Sequence, residues 1–335
     1  MTRKLTGIIL LAAVLLISAL STAAQTPDKP NIAPIQPVNT FSIICYDSLT
    51  GEIGVAVQSH WFKVADVIWA EPGVGAVATQ SFADFAYGPL GLEMMKLGKT
   101  ARQALDGVLA SDPTPGVRQV AMLDANGGIV AHTGEKCIAE AGHIVGPNYS
   151  VQANLMAKNT VWPAMAAAFE QTDGDLADRM MAALEAAQGE GGDIRGKQSA
   201  AMVVVTGDPT GQPWHDRVVD IRVDDSPQPL KELRRLLNIT RAYDRMNEGD
   251  ELLAAGDIEG AASAYEMATE LAPGNLEIQF WHAVTLVSVG EPDHAMPIFK
   301  EVFAKDSSWR ELIPRLVAAD LLPDNKKLIE TIVGQ

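Results

Sequence analysis

Residues 39–59 read NTFSIICYDSLTGEIGVAVQS, and the fold turns on how this stretch is taken. β-branched and aromatic residues fill 40–46 and 53–59, with a polar, glycine-containing break at 48–51 between them, so two strands around a tight turn are expected. The domain opens on a hairpin. A hydroxyl residue, Thr40, stands at its first position, and the question it raises is whether that hydroxyl is a nucleophile.

Upstream, residues 25–38 (QTPDKPNIAPIQPV) carry four prolines and no hydrophobic period, which predicts an extended linker continuing to residue 39. Residues 1–24 differ again: Arg3 and Lys4 precede an apolar run over 8–20 that ends in the small residues 21–24. That order predicts a secretory signal peptide and export to the periplasm or beyond. No later stretch is long and apolar enough to span a bilayer. An exported chain permits a disulfide, and the two cysteines, Cys45 and Cys137, are read either as a bridge or as two buried thiols.

Downstream, Pro72-Gly73 divides two strand-like runs, the second over 75–80. Over 86–110 the period becomes helical, with Gly98 ending one helix and Thr100 capping the next. Strands over 117–123 and 129–133 flank Ala-Asn-Gly-Gly at 125–128, for which Asn-Gly suggests a type I′ turn. A strand over 149–156 precedes helices over 161–171 and 176–188, and the glycine-rich GEGGD leads to final strands over 199–206 and 217–223. Strands, two helices, strands, two helices, strands: this order predicts an α+β domain over 40–237, built as a four-layer α-β-β-α sandwich.

Pro227 and Pro229 mark a change to all-helical sequence over 238–335. Leu252, Gly256, Ala261, Tyr265 and Ala268 recur 34 residues later as Leu286, Gly290, Ala295, Phe299 and Val302, a period and pattern similar to the tetratricopeptide repeat. Helices at 309–321 and 324–333 would cap such a stack. It is read either as a docking surface for a protein or cell-wall partner, or as a lid or homo-oligomerisation element.

The chain has 335 residues, 47% of them hydrophobic, enough for two domains, and a net charge of −16 that argues against a nucleic-acid partner. HExxH, the phosphate loop GxxxxGK[ST] and GxSxG are all missing from the sequence, and its six histidines form no i, i+4 pair, so neither metal nor cofactor is expected.

Four segments, TFSIICYDSLTGEIGVAVQS (40–59), GVGAVATQSFADFAYGPLGLEMM (73–95), GHIVGPNYSVQANLM (142–156) and RGKQSAAMVVV (195–205), together resemble the bacterial family known as domain of unknown function 1028, over residues 40–237. The resemblance implies an N-terminal nucleophile hydrolase-like fold, and in some members an extra C-terminal domain linked with peptidoglycan binding. In that superfamily the first residue of the mature chain attacks an amide carbonyl, with its own α-amine, of pKa roughly 8, as the base. Thr40 occupies that position, but only a cut between Asn39 and Thr40 would free its amine.

The supporting residues expected from the matched segments are Ser59 beside Thr40 and Asn154 as an oxyanion donor. Gln80, Ser81, Asp84, Tyr87, Gln198 and Ser199 would position a small amide or peptide-like substrate. Asp193, Arg195 and Lys197 read as a solvated loop, and Gly75, Gly88 and Gly91 as structural. The competing reading is a non-enzymatic sandwich that presents the helical repeats to a partner.

Overall fold

The computed structural model describes Pro37–Gln335. The expected signal peptide and most of the proline-rich linker lie outside the described residues. Ten strands form two antiparallel sheets: β1 (Thr40–Tyr46), β2 (Ile53–Ser59), β3 (Ile68–Glu71), β4 (Gly75–Ser81), β5 (Arg118–Asp124), β6 (Ile129–Thr133), β7 (Gly142–Val145), β8 (Tyr149–Ala153), β9 (Ser199–Val205) and β10 (Arg217–Val223). One sheet has the order β10-β9-β2-β1-β8-β7, the other β3-β4-β5-β6. The opening hairpin lies at the centre of the first, Thr40 opposite Ser59 and Tyr46 opposite Ile53.

Strand alternation sorts the residues into three cores. Ile44 of β1, Ile53, Val55 and Val57 of β2, Ala76 and Ala78 of β4, Ala121 and Leu123 of β5, and Ala201 and Val205 of β9 share one apolar cluster drawn from both sheets. Their strand neighbours Phe41, Ile43, Ala56, Val151, Met202 and Val204 point the other way, onto α3 (Val161–Gln171) and α4 (Leu176–Gly189). Val77, Val120 and Met122 do the same on the second sheet, against α1 (Tyr87–Lys96) and α2 (Ala101–Ser111).

Thr100 caps α2 through a full capping box: its hydroxyl accepts from the Gln103 N–H, and the Gln103 side chain accepts from the Thr100 N–H. The β5–β6 turn departs from the type I′ expectation. Gly127 takes a positive φ of +78° but Asn126 does not. The Asp124 carboxylate instead accepts from the N–H groups of Asn126 and Gly128, at 3.0 and 3.1 Å, and holds the turn from inside. β7, which the sequence reading omitted, is a short edge strand paired with β8.

Six further helices close the chain: α5 (Pro229–Ala254), α6 (Ile258–Leu271), α7 (Leu276–Ser288), α8 (Pro292–Lys305), α9 (Ile313–Ala318) and α10 (Lys326–Val333). α5 runs unbroken across the division expected after residue 237. Its first turns join the first sheet's outer core through Leu230, Leu233 and Leu237. Farther along, Arg234 meets Asp178 and Glu185, and Arg241 meets Asp175 and Asp178. The 34-residue repeat falls on equivalent places: Gly256 and Gly290 follow α5 and α7 with φ of +83° and +89°, and Ala261, Tyr265, Ala295 and Phe299 are buried on α6 and α8. No helix among the described residues is long and apolar enough to cross a membrane.

A packing prediction follows from Gly88. A Cβ there would lie 2.3 Å from the Trp69 indole. Gly88→Ala should lower stability by about 1–3 kcal/mol in a denaturant titration; an unchanged midpoint would show that the α1–β3 contact is not tight.

Candidate active site

The polar residues of the fold gather at one end of the inter-sheet space. Thr40 and Ser42 of β1, Ser59 of β2, Gln80 of β4, Gln119 of β5, Ser150 and Gln152 of β8, and Asn154 just beyond it are all fully buried. A buried polar group needs a partner, and these supply one another. The Gln119 side-chain oxygen accepts from Gln80 Nε2 at 2.6 Å and Asn154 Nδ2 at 2.9 Å. Its Nε2 donates to the Ala153 carbonyl at 2.9 Å and to Thr133 Oγ1 at 2.9 Å. Ser42 donates to Gln80 Oε1 at 2.7 Å and accepts from Gln152 Nε2 at 2.6 Å. Gln119, Ser42, Ser150 and Gln152 were not singled out from sequence; their signal was the polar face of strands whose opposite face is apolar.

Thr40 lies at the rim of this network, and the chain before it is held as firmly. Val38 forms an antiparallel bridge with Ser81: Val38 N–H donates to the Ser81 carbonyl at 2.6 Å and Ser81 N–H to the Val38 carbonyl at 2.8 Å. The Thr40 hydroxyl turns back to donate to the Val38 carbonyl at 3.0 Å. Between them, the Asn39 carbonyl accepts from the Ser59 hydroxyl and, at 3.0 Å, from Arg195 Nη2. Arg195 is itself fixed by the Asp193 carboxylate, at 3.0 and 2.6 Å, whose side chain is fully buried and also accepts the His60 N–H.

The loop expected to be solvated does expose Arg195 and Lys197, but it buries the Asp193 carboxylate, which aims the Arg195 guanidinium. Its Gly-rich composition concealed this, because the partners of Asp193 and Arg195 include residues more than a hundred positions away.

Ser59 is where it was expected, opposite Thr40. Asn154, the expected oxyanion donor, reaches the carbonyl of Thr40 itself with its N–H and its side-chain amide, at 3.1 and 3.5 Å. Gln80 also donates to the Thr40 carbonyl, at 3.2 Å. Ser81 carries the Val38 bridge at φ +68°, a region non-glycine residues seldom adopt.

The other expected positioning residues are committed elsewhere. Asp84 accepts from the Ala86 N–H ahead of α1, Gln198 donates to Asp225, and Ser199 ties β9 to the Trp61 carbonyl and the Val64 N–H. Tyr87 donates to Asp112, which pairs with Arg118, and Arg118 in turn holds the Phe82 carbonyl next to Ser81.

Burial pushes the Tyr87 phenol up, and its hydrogen bond to Asp112 adds to this. For Asp112, burial works against the charge, but hydrogen bonds from Arg118, the Thr114 N–H and Tyr87 outweigh it and bring the carboxyl down to about 2. Cys45 and Cys137 are free thiols, and burial raises both, which leaves them poor nucleophiles. Among the described residues no group of three or more His, Cys, Asp or Glu is placed to hold a metal.

A cavity of about 610 Å³ is lined by Trp69, Glu71, Pro72, Pro209, Asp216 and Arg217, with Thr40 and its neighbours absent from its walls. It touches the Glu71–Gly75 end of the β3–β4 pair, whereas the polar cluster sits at the Ser81 end of β4.

Residues 40–233 match the model of a family of unknown function, DUF1028, and the chain belongs to that family. Among solved structures, the chain is similar to a crystal structure of a Silicibacter pomeroyi protein described with the same family, at 29% identity and a TM-score of 0.53 over 59% of this chain and 88% of that one. No curated protein matches the chain.

Two outcomes test the site as a structure. Gln119→Leu keeps the bulk but strands the amides of Gln80 and Asn154, and should cost about 2–4 kcal/mol by urea unfolding. The Asp112 carboxyl titrates below its ordinary 3.8 when folded. Its contribution, on the order of 2 kcal/mol, should be complete above about pH 4 and fade as pH falls toward 2. Stability curves of the parent chain and Asp112→Asn should draw together between about pH 5 and 2.5 and converge only below about pH 2.

Proposed function

We propose that this DUF1028 protein is an exported amidohydrolase of N-terminal nucleophile type, with Thr40 as nucleophile once the Asn39–Thr40 bond is cut. The observation that carries the reading is the treatment of the Asn39 carbonyl. A hydroxyl and a guanidinium both donate to it, while the Thr40 hydroxyl, which borders the same bond, turns back to the Val38 carbonyl one peptide earlier. Donors aimed at a carbonyl oxygen stabilise the oxyanion that forms when its carbon is attacked.

In the maturation step, Thr40 Oγ1 adds to the Asn39 carbonyl carbon and the C–N bond to Thr40 breaks. An ester forms, and the hydroxyl proton passes to the released α-amine. Water then cleaves the ester, leaving the Asn39 carboxylate and a Thr40 with a free amine and a free hydroxyl. In turnover the same hydroxyl attacks a substrate amide, the amine serves as base, and Ser59 and Arg195 hold the oxyanion. Asn154 and Gln80, bound to the Thr40 carbonyl, fix the nucleophile's backbone and leave the oxyanion to that pair.

The arrangement of layers fits the superfamily's α-β-β-α sandwich: α1 and α2 cover the outer face of one sheet, α3 and α4 that of the other, and Thr40 starts a central strand. The C-terminal helices read as a tetratricopeptide-like extension for docking a protein or cell-wall partner, on the strength of the 34-residue equivalence.

Intact mass and N-terminal sequencing of the exported protein test the nucleophile. The expected chain begins at Thr40. Thr40→Ala should leave the bond uncut, and Ser59→Ala or Arg195→Ala should slow the cut by about 10²-fold or more. A fully active preparation that begins upstream of Thr40 would rule the mechanism out in favour of the binding-module reading.

A further inference from the structure

Resting on the reading of Thr40 as a nucleophile, we propose that the mature site takes peptidyl substrates in extended conformation, and that residues 37–39 lie in its acyl-side subsites as a product would. Three features of this segment describe a binding site for a peptide backbone.

Val38 offers both its N–H and its carbonyl to Ser81, at 2.6 and 2.8 Å, the two-bond pairing by which a sheet captures an added strand. Ser81 is the last residue of β4, opposite Arg118 in the β4–β5 register, and takes a φ of +68° where it meets Val38. A non-glycine residue in this region carries strain that the surroundings must maintain. Here Arg118 does so, anchoring the next carbonyl, that of Phe82. The rail is thus built and braced independently of the segment it holds.

The side chains are enclosed as well. Val38 is 3% exposed and belongs to the inter-sheet apolar cluster, which defines an apolar subsite one residue before the scissile carbonyl. Asn39 is 1% exposed, and its Oδ1 has no hydrogen-bond partner. The pocket therefore fits the size of an asparagine side chain without reading its oxygen. With the Asn39 carbonyl on Ser59 and Arg195, the Val38 N–H, the Val38 carbonyl and the scissile carbonyl are all held. A simple acyl amide would leave the Ser81 rail and the Val38 subsite empty.

The test uses exported protein whose N-terminus has been sequenced, and three coumarin amides: acetyl-Pro-Val-Asn, the same peptide with N-methyl-valine, and a plain butyryl amide. Each loses its acyl group to Thr40 and then to water, releasing the fluorescent amine. For protein beginning at Thr40, the tripeptide should be cleaved with a kcat/KM about tenfold or more above both others, because N-methylation removes the donor to Ser81. Labelled Pro-Val-Asn acid should bind, by anisotropy, and compete with the tripeptide. Since the change is made in the ligand, no variant has to fold. Equal cleavage of all three, or preference for the butyryl amide, overturns the peptidyl assignment and leaves Thr40 as nucleophile. Protein that begins at Thr40 but neither cleaves the tripeptide nor binds Pro-Val-Asn overturns the assignment too. An N-terminus upstream of Thr40 in the exported protein overturns the nucleophile and the assignment together.

Discussion

Two sheets packed face to face leave the polar groups between them out of reach of bulk water, and here the side-chain amide of Gln119 meets that constraint. It accepts from one residue on its own sheet and one just past β8 on the other, and donates to the β8 backbone. An unsatisfied amide in such a place would cost several times what one surface hydrogen bond contributes, since low dielectric raises the stakes of every pairing. The apolar half of the inter-sheet space supplies burial, and the polar half supplies register. With Gln119 in place, β1 cannot slide against β5 without breaking bonds to Gln80, Asn154 and the Thr40 carbonyl in turn.

That rigidity gives Thr40 its meaning. A threonine at the frayed end of a strand would have a mobile hydroxyl, whereas this one starts a central strand with its carbonyl held from two sides. The segment before it is held as well, through Ser81. The chain is thus ordered on both sides of the Asn39–Thr40 bond, and the carbonyl of that bond receives two donors. Asp193 extends the arrangement by fixing the Arg195 guanidinium in a bidentate pair, so the charge is aimed before any reaction begins.

Much of this was legible in the chain because local rules govern it. β-branched and aromatic residues around a polar, glycine-containing break located the opening hairpin, the period of 3.6 located the helices of 86–110 and 161–188, and Thr100 announced its cap. The 34-residue spacing placed Gly256 and Gly290 at equivalent helix ends. What escaped depends on partners distant in sequence. Arg195 reaches Asn39 across 156 positions and Asp193 reaches His60 across 133, so a Gly-rich loop that looked wholly solvated is tied to the start of β1 and the end of β2. Asn126 suggested one turn type by composition, but Asp124 imposed another through its side chain. Asn154 was read as an amide near Thr40, and its donors reach the Thr40 carbonyl.

α5 is a single rod rooted in the first sheet's outer core and reaching the repeats at its far end. Its 26 residues span about 39 Å at 1.5 Å per residue. The root is gripped by Leu230, Leu233 and Leu237, and a little farther along by the ion pairs of Arg234 and Arg241. Its first half, through Arg241, is clamped to the sheet domain, and its second half packs against α6 through Ala242 and Gly249. A tilt of about 5° at the clamp moves the far end by roughly 2 Å over the remaining ~20 Å, so the repeats and the first sheet share one stiff element.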